Sequence, residues 1–526
     1  MPRVLISDAL SEDAVNIFRT RGIDVTFEPA LGKDKERLLS IIGEYDGLAI
    51  RSATKVTDDV IAAAKNLKVV GRAGIGVDNV DIPAATAAGI AVMNTPFGNS
   101  ITTAEHAIAM MMSLVRQIPQ ANASTHEGKW EKSRFMGQEI FGKTLGLIGC
   151  GNIGAIVADR AQGLKMKVVA FDPYLTEERA LALGVERVDL DTLFARADVI
   201  TIHTPLTDQT RNVVNADAFS KMKDGVRIVN CARGGLVDEA ALLEALESGK
   251  VAGAALDVFE VEPAKDNPLF GREDVICTPH LGASTSEAQE NVAIQVAEQL
   301  ADYLLTGAVT NALNMPSVSA EEAPRLKPYI ALAEKLGSLA GQMSGAGVNG
   351  IEVSYAGSVS KLNVKPLTAA ALAGALRPKM ADVNLINAPS IASDRGIEVS
   401  ETTTDKSPNY GATISVTMKC AEGDRTYVGA LFGGEPRVVR FGKIRLEGSF
   451  VKNMLFVRND DKPGFIGALG QVLSDAGINI ATFHLGRMTE GDEAIALVAT
   501  DGPVAKEVVE KINKLAHVKT AQALTF

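Results

Sequence analysis

The 526-residue sequence lacks several features that membrane and nucleic-acid-binding proteins need. Its longest apolar run, residues 107–115, is far shorter than the roughly 20 residues of a membrane-spanning helix. It has no basic tract and a formal net charge of −11, so nucleic acid is not an expected partner. Aromatic residues make up only 5%, which is typical of an α/β protein rich in alanine, glycine and valine.

Paired cysteines are also absent. The four cysteines have no C-x-x-C spacing, which argues against a disulfide framework or a zinc site and suits a reducing cytoplasm. The first residues, MPRVLISDAL, predict a strand and a turn without a signal segment. We therefore expect a cytoplasmic protein with no metal site. The cysteines are Cys150, Cys231, Cys277 and Cys420.

The most informative stretch is residues 143–172, KTLGLIGCGNIGAIVADRAQGLKMKVVAFD. A short apolar strand leads into Gly149, Gly151 and Gly154, spaced G-x-G-x-x-G, and helical periodicity follows before a second strand ends in Asp172. This pattern predicts dinucleotide binding, with the phosphates at the helix N-terminus and the carboxylate on a ribose diol. Because an acid repels a 2′-phosphate, NAD is favoured over NADP.

Strands and helices alternate over residues 1–98, and Arg51 and Arg72 each lie at the end of a strand. In open parallel sheets, ligands bind beyond the carboxyl ends of the strands. The two arginines are therefore either an anion clamp or two solvated surface side chains. An anionic substrate would need such a basic cluster because the chain as a whole is acidic.

Four later strands between residues 199 and 278 also end in polar residues, which include Arg233 and His280, with Glu262 in a nearby loop. Hydride transfer from a hydroxyl-bearing carbon needs a base for the proton and a cation for the carboxylate or carbonyl. Histidine, a carboxylate partner and arginine meet those needs. A structural ion pair with a capping histidine is the alternative, and we interpret His106, on an earlier helix, as structural.

Two T/S-x-x-E patterns, Thr102 to Glu105 and Ser284 to Glu287, predict capping boxes at helix N-termini. The second helix is expected to cross back onto residues 1–98. Beyond residue 317, the segment AAALAGAL (369–376) predicts a helix suited to close packing. A later β pattern carries four basic residues, which form either a solvated strand face or an anion or effector site: Arg437, Arg440, Lys443 and Arg445.

Residues 453–526 alternate as strand, helix, strand, strand, helix, strand. We expect an α/β chain with four parts. A Rossmann-type doubly wound parallel sheet is inserted in a flavodoxin-like α/β substrate domain, and an α+β intervening domain and a ferredoxin-like domain follow. The predicted bounds are 1–98 with 283–316, then 99–282, 317–452 and 453–526.

The motifs GCGNIG with Asp172, NCARGGLVDEAAL, ALDVFEVEP and TPHLGAST resemble the D-isomer-specific 2-hydroxyacid dehydrogenase family over residues 1 to about 315. The resemblance implies catalysis by Arg233, Glu262 and His280, with His280 as acid/base, Glu262 as its partner and Arg233 on the substrate. It also implies NAD as cofactor. The implied NAD-binding residues are Ile75, Gly149, Gly151, Asn152, Ile153, Gly154, Asp172, Thr204, Cys231, Ala232, Arg233, Asp257, His280, Gly282 and Ala283.

Within that family, RSATKVT, GRAGIGVDNVD, TPFGNS and WEKSRFMGQE resemble the branch that oxidises 3-phosphoglycerate at the start of serine synthesis. A hydroxypyruvate or glyoxylate reductase is the alternative, and a non-catalytic NAD-sensing corepressor-like protein is another. The loop around residue 130 is expected to act across a dimer interface. The implied substrate-contacting residues are Arg51, Ser52, Arg72, Asn99, Lys132 and Arg134.

The last unit resembles an ACT domain, a small-molecule-sensing fold that binds amino acids at paired interfaces. Its first turn, NDDKPG, lacks the histidine that serine-binding relatives often carry. Asp461 and Asn479 are the candidate residues for an L-serine effector. The resemblance also implies a homodimer or homotetramer without a membrane or nucleic-acid partner.

Overall fold

The computed structural model describes residues 1–345, 347–407, 409–421 and 423–526. They form four β-sheets of five, seven, six and four strands. Within these described ranges, no helix combines the length and the apolar character needed to cross a membrane. The domain bounds predicted from the sequence stay a prediction.

The first sheet is fully parallel, with strand order β2-β1-β3-β4-β5. This is the flavodoxin-like order, as predicted. The carboxyl ends of β3 and β4 lie side by side and carry Arg51 and Arg72 to the same edge. The elements are β1 (Arg3–Ile6), α1 (Glu12–Thr20), β2 (Asp24–Phe27), α2 (Lys35–Ile41), β3 (Gly47–Ile50), α3 (Asp58–Ala63), β4 (Val69–Arg72), α4 (Ile82–Ala88) and β5 (Ala91–Asn94).

The second sheet is also parallel and has the order β12-β11-β10-β9-β6-β7-β8, a Rossmann arrangement with one added strand. Its strand order reverses between β6 and β9, where such sheets bind ligands. The elements are α5 (Ser100–Arg116), α6 (Ile118–His126), β6 (Thr144–Ile148), α7 (Asn152–Gly163), β7 (Lys167–Phe171), α8 (Glu177–Leu183), β8 (Glu186–Arg187), α9 (Leu190–Arg196), β9 (Val199–Ile202), α10 (Ala216–Lys221), β10 (Val226–Asn230), α11 (Glu239–Glu247), β11 (Val251–Leu256) and β12 (Val275–Cys277).

Helix α12 (Ser286–Thr306) returns the chain to the first sheet, as predicted. A Cβ on Gly71 of β4 would lie 2.5 Å from Val296, and one on Gly47 of β3 would lie 3.2 Å from Leu304. Val296 and Leu300 are fully buried in this contact. The first domain therefore completes its core with residues that follow the cofactor domain in sequence.

Both predicted capping boxes are wrong in detail. Helix α5 begins at Ser100, so Thr102 lies inside the first turn, and Asn99 makes no side-chain capping bond. At α12 the cap is Thr285, whose hydroxyl accepts from the Ala288 amide at 3.2 Å. The T/S-x-x-E pattern identified the correct regions, but a neighbouring polar residue occupies each cap position.

The third sheet has the order β14-β13-β15-β16-β17-β18 and is antiparallel except between β13 and β14. Arg440 and Arg445 lie directly opposite each other on β17 and β18. Like charges in that position are unfavourable, and the predicted anion site here stays a prediction. The elements are α13 (Ala323–Met343), β13 (Val348–Gly357), α14 (Lys365–Leu376), α15 (Ala388–Asp394), β14 (Glu398–Thr404), β15 (Ala412–Cys420), β16 (Arg425–Phe432), β17 (Glu435–Phe441) and β18 (Ile444–Ser449).

The fourth sheet is antiparallel with the order β20-β21-β19-β22, which is the ferredoxin-like arrangement. The Gln342 amide at the end of α13 donates to the Thr525 carbonyl at 2.8 Å and so ties this sheet to the third unit. The elements are β19 (Asn453–Asp460), α16 (Phe465–Asp475), β20 (Ile480–Arg487), β21 (Glu493–Thr500), α17 (Lys506–Asn513) and β22 (Val518–Thr525).

Helices α13 and α14 approach each other until their backbones touch. A Cβ on Gly337 would overlap the carbonyl of Ala371, and one on Gly341 would overlap that of Ala375. On the facing helix, Gly374 has the same relation to the backbone of α13. The small-residue segment predicted to pack closely does so because glycine occupies the contact positions on both helices.

We expect Gly337→Val to destabilise the third unit, because the added side chain must separate α13 from α14. Overpacking of this kind costs about 1–3 kcal/mol, and thermal unfolding should shift several degrees lower. The matched control is Gly470→Val in α16, where an added Cβ meets no atom within 4 Å. If both variants melt at the temperature of the parent, the backbone contact between the helices is not present.

Candidate active site

The candidate catalytic residues lie where the carboxyl ends of the first two sheets face each other. Arg72 ends β4, Arg233 follows β10 and His280 follows β12. The two sheets are joined directly here, since Arg233 Nε lies 3.1 Å from the carboxylate of Asp78, in the loop after β4. Both domains therefore contribute side chains to the cleft.

His280 and Glu262, the residues predicted to act as acid/base and partner, are in direct contact, and their catalytic role stays a prediction. Their side chains meet at 2.7 Å between Nδ1 and Oε2, while the Phe259 amide donates to the other carboxylate oxygen at 3.1 Å. His280 has a φ of 57°, an uncommon left-handed backbone for a non-glycine residue. The contact with Glu262 leaves Nε2 as the ring nitrogen that can exchange a proton with a substrate.

The environment keeps Glu262 ionised. Partial burial raises the pKa of Glu262, but hydrogen bonds from His280 and from the Phe259 amide outweigh burial and hold the pKa below its ordinary value. The contribution of the carboxylate to stability is therefore present at neutral pH and is lost as the pH falls through its folded-state pKa. At neutral pH an ionised carboxylate therefore faces the His280 imidazole.

Two glycines create the space for an arginine cluster. A side chain on Gly74 would overlap the guanidinium of Arg72, and one on Gly76 would overlap that of Arg233. Burial and the charges of Arg233 and Arg51 lower the pKa of Arg72 to about 10. Three guanidinium groups therefore share one end of the cleft, a strongly anion-attracting arrangement in a chain of net charge −11.

Arg51 is placed by Asp8, a residue that the sequence patterns did not single out. The buried Asp8 carboxylate accepts from the Arg51 amide at 2.6 Å and from the Thr54 hydroxyl at 2.7 Å. Asp8 lies two residues beyond the end of β1. This position at a strand end is the signal by which the sequence could have identified it. Ser52 is exposed beside Arg51. Asn99 is buried, and its Oδ1 has no hydrogen-bond partner among the described residues.

Asp257 is completely buried and organises the loop that carries His280. Its carboxylate accepts from the Thr278 hydroxyl at 2.6 Å and from the Leu281 and Gly282 amides at 2.7 and 2.8 Å. His106 Nε2 lies 3.2 Å away, which explains the structural role predicted for it. Burial raises the pKa of Asp257, but the bonds from His106 and Thr278 outweigh it and hold the pKa low.

The glycine turn has the features that a dinucleotide requires. Gly149 has a φ of 91°, and a side chain on Gly154 would overlap its carbonyl. A Cβ on Gly151, in contrast, would meet no atom within 4 Å, which leaves open space beside the N-terminus of α7. The Asp172 carboxylate accepts from the Cys150 amide at 2.8 Å, so it lies against the same turn. These residues fit NAD.

The remaining predicted NAD-binding residues line the same edge of the second sheet or the facing loop of the first domain. The Thr204 hydroxyl is buried and has no hydrogen-bond partner among the described residues. The Ile75 carbonyl accepts from Asn94 at 2.7 Å, which fixes the facing loop. The others at this edge are Asn152, Ile153, Cys231, Ala232, Gly282 and Ala283.

The structure does not bring Lys132 or Arg134 to this cleft. Arg134 donates to Glu131 at 2.8 Å and pairs with Glu273, which precedes β12 and so lies at the amino end of the sheet. Trp130 is 87% exposed and Met136 78% exposed on the same loop. Within one chain this loop lies at the opposite edge of the sheet from His280.

Asp461 and Asn479 are likewise apart within one chain. The Asp461 amide donates to the Asp492 carbonyl before β21, whereas the Asn479 carbonyl accepts from the Asp501 amide beyond it. Since β21 spans eight residues, roughly 25 Å separates its two ends. The Asp461 side chain is also paired with Arg487.

Comparison with known proteins agrees with this architecture. Residues 108–282 match the profile described as "D-isomer specific 2-hydroxyacid dehydrogenase, NAD binding domain". Residues 325–442 match "D-3-phosphoglycerate dehydrogenase intervening domain", and residues 453–517 match "ACT domain". The fold and cleft thus define a D-2-hydroxyacid dehydrogenase with NAD as its cofactor and two additional C-terminal domains.

Curated relatives match over the full length. A D-3-phosphoglycerate dehydrogenase from Methanocaldococcus jannaschii is 44% identical over 100% of both chains. One from Bacillus subtilis is 42% identical, covering 100% of this chain and 99% of its own. The chain belongs to the D-3-phosphoglycerate dehydrogenase family.

Solved structures match the first two domains. A glyoxylate reductase from Paecilomyes thermophila is 32% identical with a TM-score of 0.55, covering 59% of this chain and 98% of its own. The apo D-lactate dehydrogenase from Escherichia coli is 32% identical with a TM-score of 0.53, and the match covers 60% of this chain and 100% of that enzyme's chain. The shared part corresponds to the cleft and its two parallel sheets.

We expect Asp172→Ala to weaken NADH binding at least about tenfold, because hydrogen bonds to a charged group contribute about 1.5–3 kcal/mol. Discrimination against NADPH should fall with it, since the repulsive charge is gone. Fluorescence titration of both cofactors measures the two effects. Asp159→Ala, which removes an exposed carboxylate of α7, is the control, and equal affinities for parent and Asp172→Ala would contradict the assignment.

Proposed function

We propose that this chain catalyses the NAD-dependent oxidation of D-3-phosphoglycerate to 3-phosphohydroxypyruvate, the first step of L-serine biosynthesis. The observation that carries the proposal is the cleft itself, where a histidine–carboxylate pair and three arginines meet beside a dinucleotide turn. The substrate has a carboxylate, a 2-hydroxyl group and a phosphate, and each has a matching group in this cleft.

In the proposed reaction, Arg233 binds the substrate carboxylate and polarises the oxygen that becomes the carbonyl. His280 takes the hydroxyl proton on Nε2, and Glu262, at 2.7 Å from Nδ1, holds the ring and stabilises the imidazolium. NAD, when bound, supplies the acceptor for the hydride. Arg51 and Arg72 bind the phosphate.

The proposed phosphate site favours this reaction over the reduction of glyoxylate or hydroxypyruvate, the second candidate. A small unphosphorylated acid needs one arginine for its carboxylate, the role proposed for Arg233. This cleft has two further arginines, Arg51 and Arg72, which such a substrate would not use. The full-length relatives named D-3-phosphoglycerate dehydrogenase support the same choice. A non-catalytic NAD-sensing role would leave the His280–Glu262 pair without a use.

We further propose that the protein is a cytoplasmic homodimer or homotetramer. The exposed loop with Trp130 and Met136 is the proposed contact, through which Lys132 or Arg134 of one copy reaches the cleft of another. L-Serine is the proposed effector at the ACT domain. Because Asp461 and Asn479 lie at opposite ends of β21, a shared site would combine one from each of two copies.

The test is NAD reduction by the full-length protein with 3-phosphoglycerate, compared with NADH oxidation by hydroxypyruvate. The parent should turn over the phosphorylated acid, and His280→Asn should lower its kcat/KM by about 10²–10⁴-fold because the base is lost. The melting temperature should stay that of the parent, which shows that the variant is folded. Faster turnover of hydroxypyruvate than of 3-phosphoglycerate would favour the reductase. A His280→Asn variant with the kcat/KM of the parent would refute the acid/base role of His280.

A further inference from the structure

The catalytic arginine is held by a carboxylate from the opposite domain. Arg233 Nε lies 3.1 Å from Asp78 Oδ2, and the two residues come from loops of different sheets. The same guanidinium donates from Nη1 to the Ala232 carbonyl at 2.7 Å. Two acceptors on two of its nitrogens fix both the plane and the direction of the group.

These contacts determine which nitrogen remains for a ligand. Nη2 lies against Gly76, where a side chain would overlap it, and no acceptor among the described residues bonds it. Gly76 and Asp78 belong to one loop, so this loop both makes room for the guanidinium and aligns it. Nη2 is therefore the donor offered to a substrate carboxylate.

The charges around Arg233 are unevenly balanced. Arg72 and Arg233 repel each other, and this repulsion lowers the pKa of Arg72, after the larger effect of burial. Asp78 and Asp8 oppose that lowering. Asp8 is bound to the Arg51 loop, and Glu262, which also feels the charge of Arg233, is bonded to His280. Asp78 is the carboxylate in direct contact with the Arg233 guanidinium.

We infer that Asp78 is a positioning residue that aligns Arg233 for the substrate carboxylate across the two domains. The inference rests on the proposed function, which assigns the substrate to Arg233. The Arg233 side chain is 27% exposed and the Asp78 side chain 74% exposed. Exposed ion pairs contribute little to folding stability, so the effect of Asp78 should appear in catalysis rather than in stability.

The alternative to alignment is competition. In that case Asp78 acts as a substitute anion on Arg233, which an incoming carboxylate must displace. Removing it would then lower KM and raise kcat/KM. The sign of the change in Asp78→Ala decides between alignment and competition.

The experiment compares Asp78→Ala and Asp78→Asn with the parent in full-length protein, using 3-phosphoglycerate with NAD and hydroxypyruvate with NADH. We expect Asp78→Ala to lower kcat/KM at least about tenfold, mainly through kcat, because small misplacements of a catalytic group cost up to about 10²-fold. Asp78→Asn, which keeps an acceptor for Nε, should stay within about threefold of the parent. The melting temperature and the KM for NAD should not change.

The matched control is Asp302→Ala, which removes the carboxylate of another aspartate–arginine pair, 2.7 Å from Arg21 and far from the cleft. It should leave kcat/KM unchanged.

A rise in kcat/KM for Asp78→Ala, no change in kcat/KM, or an equal loss of stability and NAD binding would each overturn the inference. A parent active on hydroxypyruvate alone would refute the proposed function but still test Asp78, whereas a parent inactive on both would refute both.

Discussion

The concentration of positive charge at one end of the cleft is the constraint on which the site depends. Arg51 and Arg233 both repel Arg72, and the burial of Arg72 makes the repulsion stronger. The fold maintains them with glycines that leave room for the guanidinium groups and with carboxylates that compensate them. Such a concentration of positive charge attracts an anion.

The division of the site between two sheets follows from the same chemistry. The glycine turn and the His280–Glu262 pair belong to the seven-stranded sheet, and two of the arginines belong to the five-stranded sheet. Helix α12 returns the chain from one sheet to the other, with Val296 packed on β4, the strand that ends in Arg72. The proposed site therefore lies where loops of both sheets meet.

Buried carboxylates complete the arrangement without touching the reacting groups. Asp257 holds the Leu281 and Gly282 amides and so sets the loop after His280, while Asp8 sets the loop at Arg51. Each is satisfied by several donors, which offsets the free-energy cost of burying the charge. Asp257 and Asp8 therefore fix the backbone beside His280 and at Arg51.

Strand ends were predictable from the sequence because apolar runs and glycine turns are local signals. These signals alone located Arg51, Arg72, Arg233 and His280, and the strand orders of both parallel sheets agree with the predicted fold. Contacts between distant segments were not predictable. The spacing of residues in the sequence does not indicate that Asp78 contacts Arg233 or that His106 contacts Asp257. It also could not show that Asp461 and Asn479 lie at opposite ends of a strand. The predicted helix caps were wrong because several neighbouring polar residues can each occupy the cap position at a helix N-terminus.

The most direct test of the arginine site is a crystal structure of the full-length protein with NAD and 3-phosphoglycerate. The account predicts the phosphate between Arg51 and Arg72, the carboxylate on Arg233 and the 2-hydroxyl group within hydrogen-bond distance of His280 Nε2. A phosphate that contacts neither Arg51 nor Arg72, or a carboxylate bound away from Arg233, would contradict it.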